Sequence, residues 1–490
     1  MSAPATATTE RFPTQLVIGG ERTDAASGET LRVVNPATEE ALPPVAAAGA
    51  ADVDRAVESA RTTFSSGAWR ELSARQRGAL LWRLADLIHE HRDELARLET
   101  LNNGKPIFES MIDIRLTVDT FRYYAGWADK VHGETIPVDG PFFNYTLREP
   151  LGVVGAIVPW NFPMSLAAWK LAPALACGNT IILKPAEQTP YTALRLAELA
   201  LDAGLPAGAF NCVPGLGEAA GAALVRHPGV DKIAFTGSTE VGKQVMREAS
   251  ATLKKVSLEL GGKSPNVVYA DADLDAAARG ALTGIFYGKG EVCAAGSRLL
   301  VESSVREPLM ERIRARVARM VPGDPLNPKT KLGALVSEEQ MERVLGYVRK
   351  GQAEGAQLRT GGTRVPVNGR GYFVAPTIFE EVTPDMTIAQ DEIFGPVLSV
   401  MTFDDGMEGA VRLANSTIYG LAAGIWTRDL RKALRTAREI QAGTVWINTY
   451  NMYDAASPFG GFKASGFGRD LGKHALDGYT QVKSVWVDLA

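Results

Sequence analysis

The chain has 490 residues, of which 46% are hydrophobic and 22% are charged, and its formal net charge is −4. This length exceeds one compact core and predicts two or three domains of ordinary globular composition. The slight acidic excess argues against a nucleic-acid-binding or anionic-membrane surface, because both need an excess of basic residues.

The N-terminal segment shows no sign of a secretory signal. Residues 1–15 are expected to form a flexible tail, and MSAPATATTE at its start has neither a basic nor an apolar segment. The apolar stretch 151–160 is too short for a membrane span. Three cysteines, Cys177, Cys212 and Cys293, are too few for a disulfide framework in a chain of this size. We therefore expect a cytoplasmic protein with free thiols and no membrane partner.

Alternating strand and helix patterns predict α/β architecture. Residues 74–98 carry leucine and isoleucine at helical spacing. Short apolar strands then alternate with segments of helical length such as 190–204, as in crossover units of a parallel sheet. The first group of strands is predicted at 152–158, 180–184, 210–213 and 232–235. A second α/β domain is predicted from strands at 299–303, 397–403, 421–427 and 444–448.

One glycine-rich turn, within 232–245, is a candidate phosphate site. Ser238 can cap a helix whose free N–H groups face a phosphate, and Gly237 and Gly242 allow close approach of the backbone. The letters nearly spell a nucleoside-triphosphate loop, but Gln244 replaces the hydroxyl residue that would bind magnesium. That argues against an NTPase, whereas a plain strand–helix turn remains an alternative.

A second glycine-rich segment, VPGLGEAAG at 213–221, misses the dinucleotide-binding spacing by one residue. We predict that it is only a turn into a helix.

Two residues are candidates for acyl-transfer chemistry. Cys293 precedes an apolar strand and is followed by Ala294, Ala295 and Gly296, which leave room for a substrate carbonyl. Glu259 ends an apolar strand and can act as a general base if burial raises its pKa. Taken singly, a lone cysteine is more often buried core and a strand-end glutamate is more often a solvated charge.

Seven motifs favour the catalytic interpretation of Cys293 and Glu259 over the structural one, because they occur together and in order over more than 300 residues. The chain resembles the aldehyde dehydrogenase superfamily in PWNFP (159–163), LKPAEQTP (183–190), FTGSTEVGK (235–243), LELGGKSP (258–265), VCAAGSRLLVE (292–302), DEIFGPV (391–397) and PFGGFKASGFGRD (458–470).

The resemblance implies catalytic roles for three residues. Cys293 would attack the aldehyde to give a tetrahedral thiohemiacetal, and the Asn161 amide with the Cys293 backbone N–H would hold the oxyanion. Glu259 would activate water to hydrolyse the thioester. No metal site is predicted.

The resemblance also implies an NAD site. Lys184 and Glu187 would contact the adenosine ribose, and Glu187 favours NAD over NADP because a carboxylate repels a 2′-phosphate. NADP remains an alternative. The other predicted cofactor residues are Trp160, Gly237, Ser238, Gly242, Glu392 and Phe394.

The substrate funnel implied by the resemblance is aromatic and largely apolar, which suits aliphatic or aromatic aldehydes. It maps onto Leu116, Phe162, Trp169, Tyr450, Tyr453 and Phe459. Trp169 stands where relatives acting on carboxylated semialdehydes carry arginine. An aromatic cage for betaine or amino-aldehydes is the alternative.

The chain departs from the family pattern at two places. Relatives commonly have asparagine and glutamine where this chain has Gly288 and Glu291. Glu291 raises the thiol pKa if it points inward, unless Lys289 offsets it, and the sequence does not decide between these arrangements. Asp470 stands where many relatives have glutamate.

We predict a Rossmann-like NAD-binding domain over 1–127 and 150–260 and a catalytic domain over 261–470. A β arm over 128–149 and 471–490 has free strand edges, which predicts a homodimer or homotetramer. Two other functions remain open. A CoA-acylating enzyme is disfavoured by Glu259, and a non-catalytic NAD-binding homologue is disfavoured by the joint presence of the catalytic residues.

Overall fold

The computed structural model describes residues 11–490, so residues 1–10 of the predicted tail lie outside the described residues. Over 11–15 the prediction of a flexible tail is wrong. The Phe12 ring packs edge-to-face against Tyr191, with ring centroids 5.0 Å apart, and this contact anchors the segment.

Fourteen α-helices occur within residues 11–490. They are α1 Ala50–Ser65, α2 Ala74–Glu90, α3 Arg92–Asn103, α4 Ile107–Trp127, α5 Pro163–Ala176, α6 Tyr191–Asp202, α7 Ala222–Arg226, α8 Thr239–Ala249, α9 Leu274–Phe286, α10 Arg306–Val317, α11 Glu338–Ala353, α12 Thr387–Gln390, α13 Gly406–Ala414 and α14 Leu430–Glu439.

Twenty-two strands occur in the same described range. They are β1 Leu16–Ile18, β2 Glu21–Thr23, β3 Thr30–Val34, β4 Ala41–Ala46, β5 Thr135–Ile136, β6 Phe142–Pro150, β7 Val153–Ile157, β8 Thr180–Lys184, β9 Phe210–Cys212, β10 Lys232–Thr236, β11 Lys255–Glu259, β12 Pro265–Val268, β13 Arg298–Glu302, β14 Gln357–Thr360, β15 Thr377–Glu380, β16 Val397–Phe403, β17 Tyr419–Gly420, β18 Ala422–Trp426, β19 Thr444–Ile447, β20 Phe462–Lys463, β21 Gly466–Phe467 and β22 Thr480–Asp488.

The first large sheet has the order β2-β1-β9-β8-β7-β10-β11-β21. Strands β9, β8, β7, β10 and β11 are parallel, and β7, β8 and β10 are buried along their whole length. Burial on both faces explains their continuous apolar runs, because helices cover both sides of such a sheet. The order reverses between β7 and β10, and ligands bind beyond the carboxyl ends of strands at such a point.

The second large sheet has the order β14-β15-β16-β13-β12-β18-β19 and is parallel except for its β14 edge. The short segment 260–264 runs directly from β11 of the first sheet to β12 of the second. Strand β21 pairs with β11 in the first sheet, although the predicted boundary puts its residues in the second unit.

The predicted β arm is a three-stranded antiparallel sheet of order β22-β6-β5. Strand β22 pairs with all nine residues of β6, from Thr480 opposite Pro150 to Asp488 opposite Phe142.

The predicted helix over 74–98 is two helices. Helix α2 ends at Glu90 and α3 begins at Arg92, because His91 leaves the helical conformation with φ −94° and ψ 13°. His91 Nδ1 lies 2.7 Å from Glu94 Oε2, which stabilises the corner. No helix within residues 11–490 combines the length and apolarity needed to cross a membrane.

Candidate active site

The nucleophile candidate follows a tight left-handed turn between the two large sheets. Helix α9 ends at Phe286, and Gly288, Lys289 and Gly290 then have φ of +57°, +62° and +75°. A side chain at Gly290 would lie 2.2 Å from the Gly395 carbonyl oxygen, so glycine is required there. This turn places Cys293 beside segment 260–264, where a Cβ on Gly262 would lie 2.4 Å from the Cys293 carbonyl oxygen.

Cys293 lines two different cavities. One, of about 250 Å³, is bounded by α4, α5 and the loop at 451–459. The other, of about 270 Å³, lies at the carboxyl ends of β7 and β10, where the order of the first sheet reverses. Cys293 is therefore in contact with both cavities. Such a position suits a residue that reacts with a ligand in one cavity while a second ligand occupies the other.

The surroundings of Cys293 favour its protonated form. Burial, together with the charges of Glu392 and Glu259, raises the pKa of the Cys293 thiol to about 12. The backbone N–H groups of Ala294 and Cys293 partly oppose this rise of the pKa. A base must therefore accept the thiol proton when the sulfur attacks.

The other two cysteines are buried, as predicted for core residues. Cys177 follows α5 and Cys212 ends β9, and burial raises the pKa of both thiols.

Asn161 lies just beyond the carboxyl end of β7 and lines the second cavity with Cys293. Its Nδ2 donates to the Glu291 carbonyl oxygen at 2.9 Å, which leaves the second N–H of the amide for another acceptor. The side chain is only 4% exposed, so its orientation is set by the protein.

Glu259 ends β11 and is a buried carboxylate without a hydrogen-bond partner on either oxygen. Burial raises its pKa well above the usual value, and the charge of Asp470 raises it further, whereas Lys170 and Arg469 lower it. An unpaired, buried carboxylate is costly and is typical of a group that must take up a proton.

Asp470 is not free to approach Glu259 as an isolated carboxylate. Its Oδ2 accepts a hydrogen bond from Lys170 Nζ at 2.8 Å, and both side chains are buried. The shorter side chain, where many relatives have glutamate, is thus held in an ion pair with α5.

Five predicted cofactor residues meet in the second cavity, namely Trp160, Gly237, Ser238, Glu392 and Phe394. Ser238 caps α8, since its hydroxyl accepts from the Val241 N–H at 3.3 Å. The free N–H groups of that helix end face the cavity and suit an anion such as a pyrophosphate. Thr236 in the same cavity has a buried hydroxyl without a partner, which a bound nucleotide could satisfy.

Glu392 and Phe394 are held firmly on one wall. Glu392 Oε1 accepts from the Gly262 N–H at 2.9 Å, and burial raises its pKa to about 7. Phe394 has φ +61°, and its carbonyl oxygen accepts from Gln340 Nε2 at 2.7 Å. The Trp160 ring stands edge-on to the Phe394 ring, with centroids 5.1 Å apart.

The remaining predicted cofactor residues lie outside this cavity. Lys184 ends β8, and its Nζ lies 3.1 Å from Glu187 Oε2, so these two form their own pair at the neighbouring strand end. Gly242 lies inside α8, where a Cβ would be 2.4 Å from Leu260. Gly242 therefore packs against Leu260 and does not line the cavity with the other predicted cofactor residues.

Five of the six predicted substrate residues line the first cavity, namely Leu116, Phe162, Trp169, Tyr453 and Phe459. Tyr450 does not. Its hydroxyl donates to the Ala294 carbonyl oxygen at 2.9 Å, and its ring packs beneath the nucleophile loop against Trp446. Expecting Tyr450 in the lining was wrong, because the chain buries it on the opposite side of that loop.

Several lining residues were not identified from the sequence. Tyr287, Thr283 and Arg115 line the first cavity, and Gln340 and Arg343 of α11 line the second. These residues lie in amphipathic helices or at a helix end, where nothing in the local pattern distinguishes a cavity wall from a solvated face. The segment 213–221, in contrast, leads into α7 as predicted.

The unusual Glu291 is neutralised. Its Oε2 lies 2.7 Å from Lys289 Nζ, and its Oε1 accepts from the Val336 N–H at 3.0 Å. Of the arrangements that the sequence left open, the structure has Lys289 offsetting Glu291.

Comparison with known proteins identifies the family. The model of the aldehyde dehydrogenase family matches residues 23–485. The chain is 50% identical to the mitochondrial aldehyde dehydrogenase of Rattus norvegicus over 481 residues, covering 98% of this chain and 92% of the relative.

Solved structures agree. The NAD+ complex of an aldehyde dehydrogenase from Bacillus cereus has a TM-score of 0.96 at 49% identity and covers 97% of both chains. An indole-3-acetaldehyde dehydrogenase in complex with NAD+ has a TM-score of 0.96 at 48% identity, covering 98% of this chain and 97% of that one. The chain belongs to the aldehyde dehydrogenase family.

Proposed function

We propose that this protein oxidises an aldehyde to the carboxylic acid through a thioester on Cys293, with NAD as the hydride acceptor. The observation that carries the proposal is the position of Cys293, which lines both an apolar cavity and the cavity of the predicted cofactor residues at the switch point of the first sheet. An aldehyde in the first cavity and a nicotinamide in the second would meet at the sulfur.

In the first step the sulfur adds to the aldehyde carbonyl carbon and the C=O π bond opens. The free N–H of Asn161 and the backbone N–H of Cys293 stabilise the oxyanion, and each such donor is typically worth about 3–4 kcal/mol of barrier. Glu259 accepts the thiol proton, because it is a buried carboxylate without hydrogen-bond partners, its pKa is raised and its charge acts on this thiol.

NAD, when bound, supplies the acceptor for the aldehyde hydride, and the product is a thioester. Glu259 must first pass the thiol proton to solvent, and it then takes a proton from water, whose oxygen attacks the thioester carbonyl. The C–S bond breaks, the acid leaves, and the Cys293 thiolate recovers its proton from Glu259. Ser238 at the helix end would hold the pyrophosphate, and Glu392 the nicotinamide ribose.

For the ribose next to adenine, Lys184 and Glu187 remain the proposed contacts. The Glu187 carboxylate is paired with Lys184 at 3.1 Å and about a third exposed, so an oxygen stays open to a 2′-hydroxyl. It opposes a 2′-phosphate, and we therefore infer a preference for NAD, with NADP as the weaker cofactor.

The substrate class we infer is a hydrophobic aliphatic or aromatic aldehyde. Trp169, Tyr453 and Phe459 pack together with centroids 5.4 to 6.2 Å apart and form an aromatic wall. A quaternary-ammonium cage is less well supported, because Lys105 Nζ already lies 4.3 Å from the Phe162 ring centroid and Arg115 adds a second cation beside the cavity.

The experiment is a kinetic screen of NADH formation with aliphatic, aromatic, amino- and carboxy-aldehydes, using NAD and NADP, with and without CoA. Acid formation without CoA and its loss in Cys293→Ser are expected. A Cys293→Ser variant with full activity would exclude the covalent route, and a CoA-dependent product would favour the acylating alternative. NAD binding without turnover of any aldehyde would indicate the non-catalytic alternative.

We also propose a homodimer or homotetramer assembled through the β arm. Strands β6 and β22 expose apolar side chains, including Phe143, Val482 and Trp486, on a sheet with free edges. Sedimentation of the whole chain tests this, since Trp486→Lys should dissociate the assembly. A cytoplasmic location stays a prediction that cell fractionation can check.

A further inference from the structure

The turn that carries the nucleophile contains two fully buried charges. Lys289 is 2% exposed and Glu291 is 1% exposed, and Lys289 Nζ lies 2.7 Å from Glu291 Oε2. Burying two charges carries a desolvation cost that a purely structural turn could avoid with neutral side chains. The pair therefore calls for an explanation in terms of what its two ends contact.

Lys289 connects the turn to the backbone beside Asn161. Its Nζ donates to the Asn103 carbonyl oxygen at 3.0 Å and to Asn103 Oδ1 at 2.7 Å. The other side of that amide, Asn103 Nδ2, donates to the Trp160 carbonyl oxygen at 2.8 Å. Lys289 also holds a left-handed backbone conformation, with φ +62°, which a non-glycine residue keeps only when its surroundings enforce it.

Glu291 makes the second connection. Its backbone carbonyl accepts from Asn161 Nδ2 at 2.9 Å, so the position of Glu291 sets the direction of the amide. Its Oε1 accepts from the Val336 N–H at 3.0 Å, which fixes the far side of the residue. Two residues further along the chain lies Cys293. The oxyanion donor Asn161 and the nucleophile Cys293 are thus both connected to the same ion pair through Glu291.

The charges around the pair balance it locally. Glu109 on α4 accepts from the Gly288 N–H with both oxygens at 3.2 Å, and Lys105 faces Glu291 and Lys289 from the start of that helix. The charges that act on the Cys293 thiol are those of Glu392 and Glu259. The connection between the pair and the thiol therefore consists of hydrogen bonds and chain position.

We propose that Lys289 and Glu291 are positioning residues, whose buried ion pair holds the Asn161 amide and the Cys293 sulfur in register on one substrate carbonyl. This inference rests on the proposed function, because that assigns Cys293 and Asn161 their roles. In the thiol addition the S–C bond forms, the C=O π bond breaks and the thiol proton leaves to the base. Only an amide in register can donate to the oxygen as it becomes negative.

The test is a double-mutant cycle with Lys289→Met and Glu291→Gln. An alkylating agent titrates the reactive Cys293 thiols in each variant, and kcat is expressed per titrated thiol. Each single variant leaves one buried charge unpaired and shifts the turn, so kcat should fall roughly 30- to 100-fold. The KM values for NAD and aldehyde should change less than about threefold. The double variant buries no unpaired charge and should recover to within about tenfold of the unaltered chain.

A second variant guards against misfolding of the singles. Asn103→Ala keeps the ion pair but removes the amide that links Lys289 to the Trp160 carbonyl, so a fall in kcat of about tenfold is expected. A matched control is Glu198→Gln, which breaks the buried pair with Arg195 at 3.0 Å on α6. It should lower the unfolding temperature without changing kcat.

Reversible addition of an aryl trifluoromethyl ketone to Cys293 provides a readout that does not depend on turnover. Its adduct needs both the sulfur and the Asn161 donor, so its affinity should weaken in the single variants by the same factor as kcat. If the unaltered chain oxidised no aldehyde, the proposed function would be wrong. The affinity for the ketone would still test whether the Lys289–Glu291 pair positions Asn161 and Cys293. Single variants with unchanged kcat and adduct affinity, or losses that multiply in the double variant, would overturn the inference.

Discussion

The two cavities that meet at Cys293 are of similar volume, about 250 and 270 Å³, but are built by different means. The second cavity is formed at the carboxyl ends of two parallel strands and at a helix N-terminus, with further side chains from α11 and from Glu392 and Phe394. The first, apolar cavity is formed by side chains of α4, α5 and a loop. The place of the second cavity therefore follows from the topology of the sheet, whereas the first cavity depends on individual side chains.

Glu259→Gln removes the proposed general base for Cys293, the residue that lines both cavities, and should have the largest effect. Without the carboxylate no group accepts the proton of water, so steady-state turnover should fall roughly 10²- to 10⁴-fold. Because Glu259 is also the proposed acceptor of the thiol proton, both the addition of the sulfur and the hydrolysis of the thioester should slow. A burst of about one NADH per active site would show that Glu259 acts in hydrolysis alone. Stopped-flow absorbance at 340 nm measures this.

The informative contrast is Glu259→Asp, which keeps a carboxylate that is one methylene shorter and should retain more activity. Full steady-state turnover in Glu259→Gln would exclude the assigned role.

Asn161→Ala removes the proposed oxyanion donor, which lines the second cavity, and should lower kcat roughly 10²- to 10³-fold. Ground-state binding should change little, because the oxyanion exists only after addition of the sulfur. Steady-state kinetics with a good aldehyde substrate, together with NAD binding by fluorescence, checks both statements. A rise in KM at constant kcat would instead make Asn161 a binding residue.

Trp169→Ala should affect the apolar side alone. The loss of a large aromatic surface is worth about 1.5–3 kcal/mol, so KM for a long or aromatic aldehyde should rise roughly 10- to 100-fold. KM for acetaldehyde and for NAD should stay close to the original values. Trp169→Phe is the matched control for packing, since the ring also contacts Phe459. Equal losses for short and long aldehydes would contradict this division between the two cavities.

Glu392→Gln should give the smallest effect, and it should increase the reactivity of the Cys293 thiol, whereas the other variants lower activity. The Glu392 charge raises the pKa of the Cys293 thiol, so removing it lowers that pKa and increases the thiolate fraction at any pH below it. At pH 9 in the absence of NAD, alkylation of Cys293 by iodoacetamide should accelerate roughly three- to tenfold, because each pKa unit is a factor of ten in thiolate. Slower alkylation would mean that Glu392 does not act electrostatically on the thiol.

The fold and the central residues of the candidate site were largely predictable from the sequence. Strands β7, β8 and β10 are continuous apolar runs because both faces of the sheet are buried. Such runs can be recognised from the local sequence alone. Cys293, Asn161 and Glu259 were predicted only because several motifs stand in register, since each alone is ordinary. The chemistry assigned to them stays a prediction for the variants above.

The tertiary structure decided which way the ambiguous side chains face. Tyr450 stands in a motif beside true lining residues, yet it packs under the nucleophile loop. Gly242 reads as part of a phosphate loop, yet it packs against Leu260. Local pattern records that a position is small, aromatic or charged, but not which distant segment will meet it.

The clearest case is the pair beside the nucleophile. The sequence by itself determined that a negative Glu291 and a positive Lys289 flank Gly290, two and four residues before Cys293. Whether they would pair, raise the thiol pKa or face solvent depended on Asn103 and Val336, which lie far away along the chain. Burial of a charge is tolerated only when such partners are supplied, and tertiary packing alone supplies them.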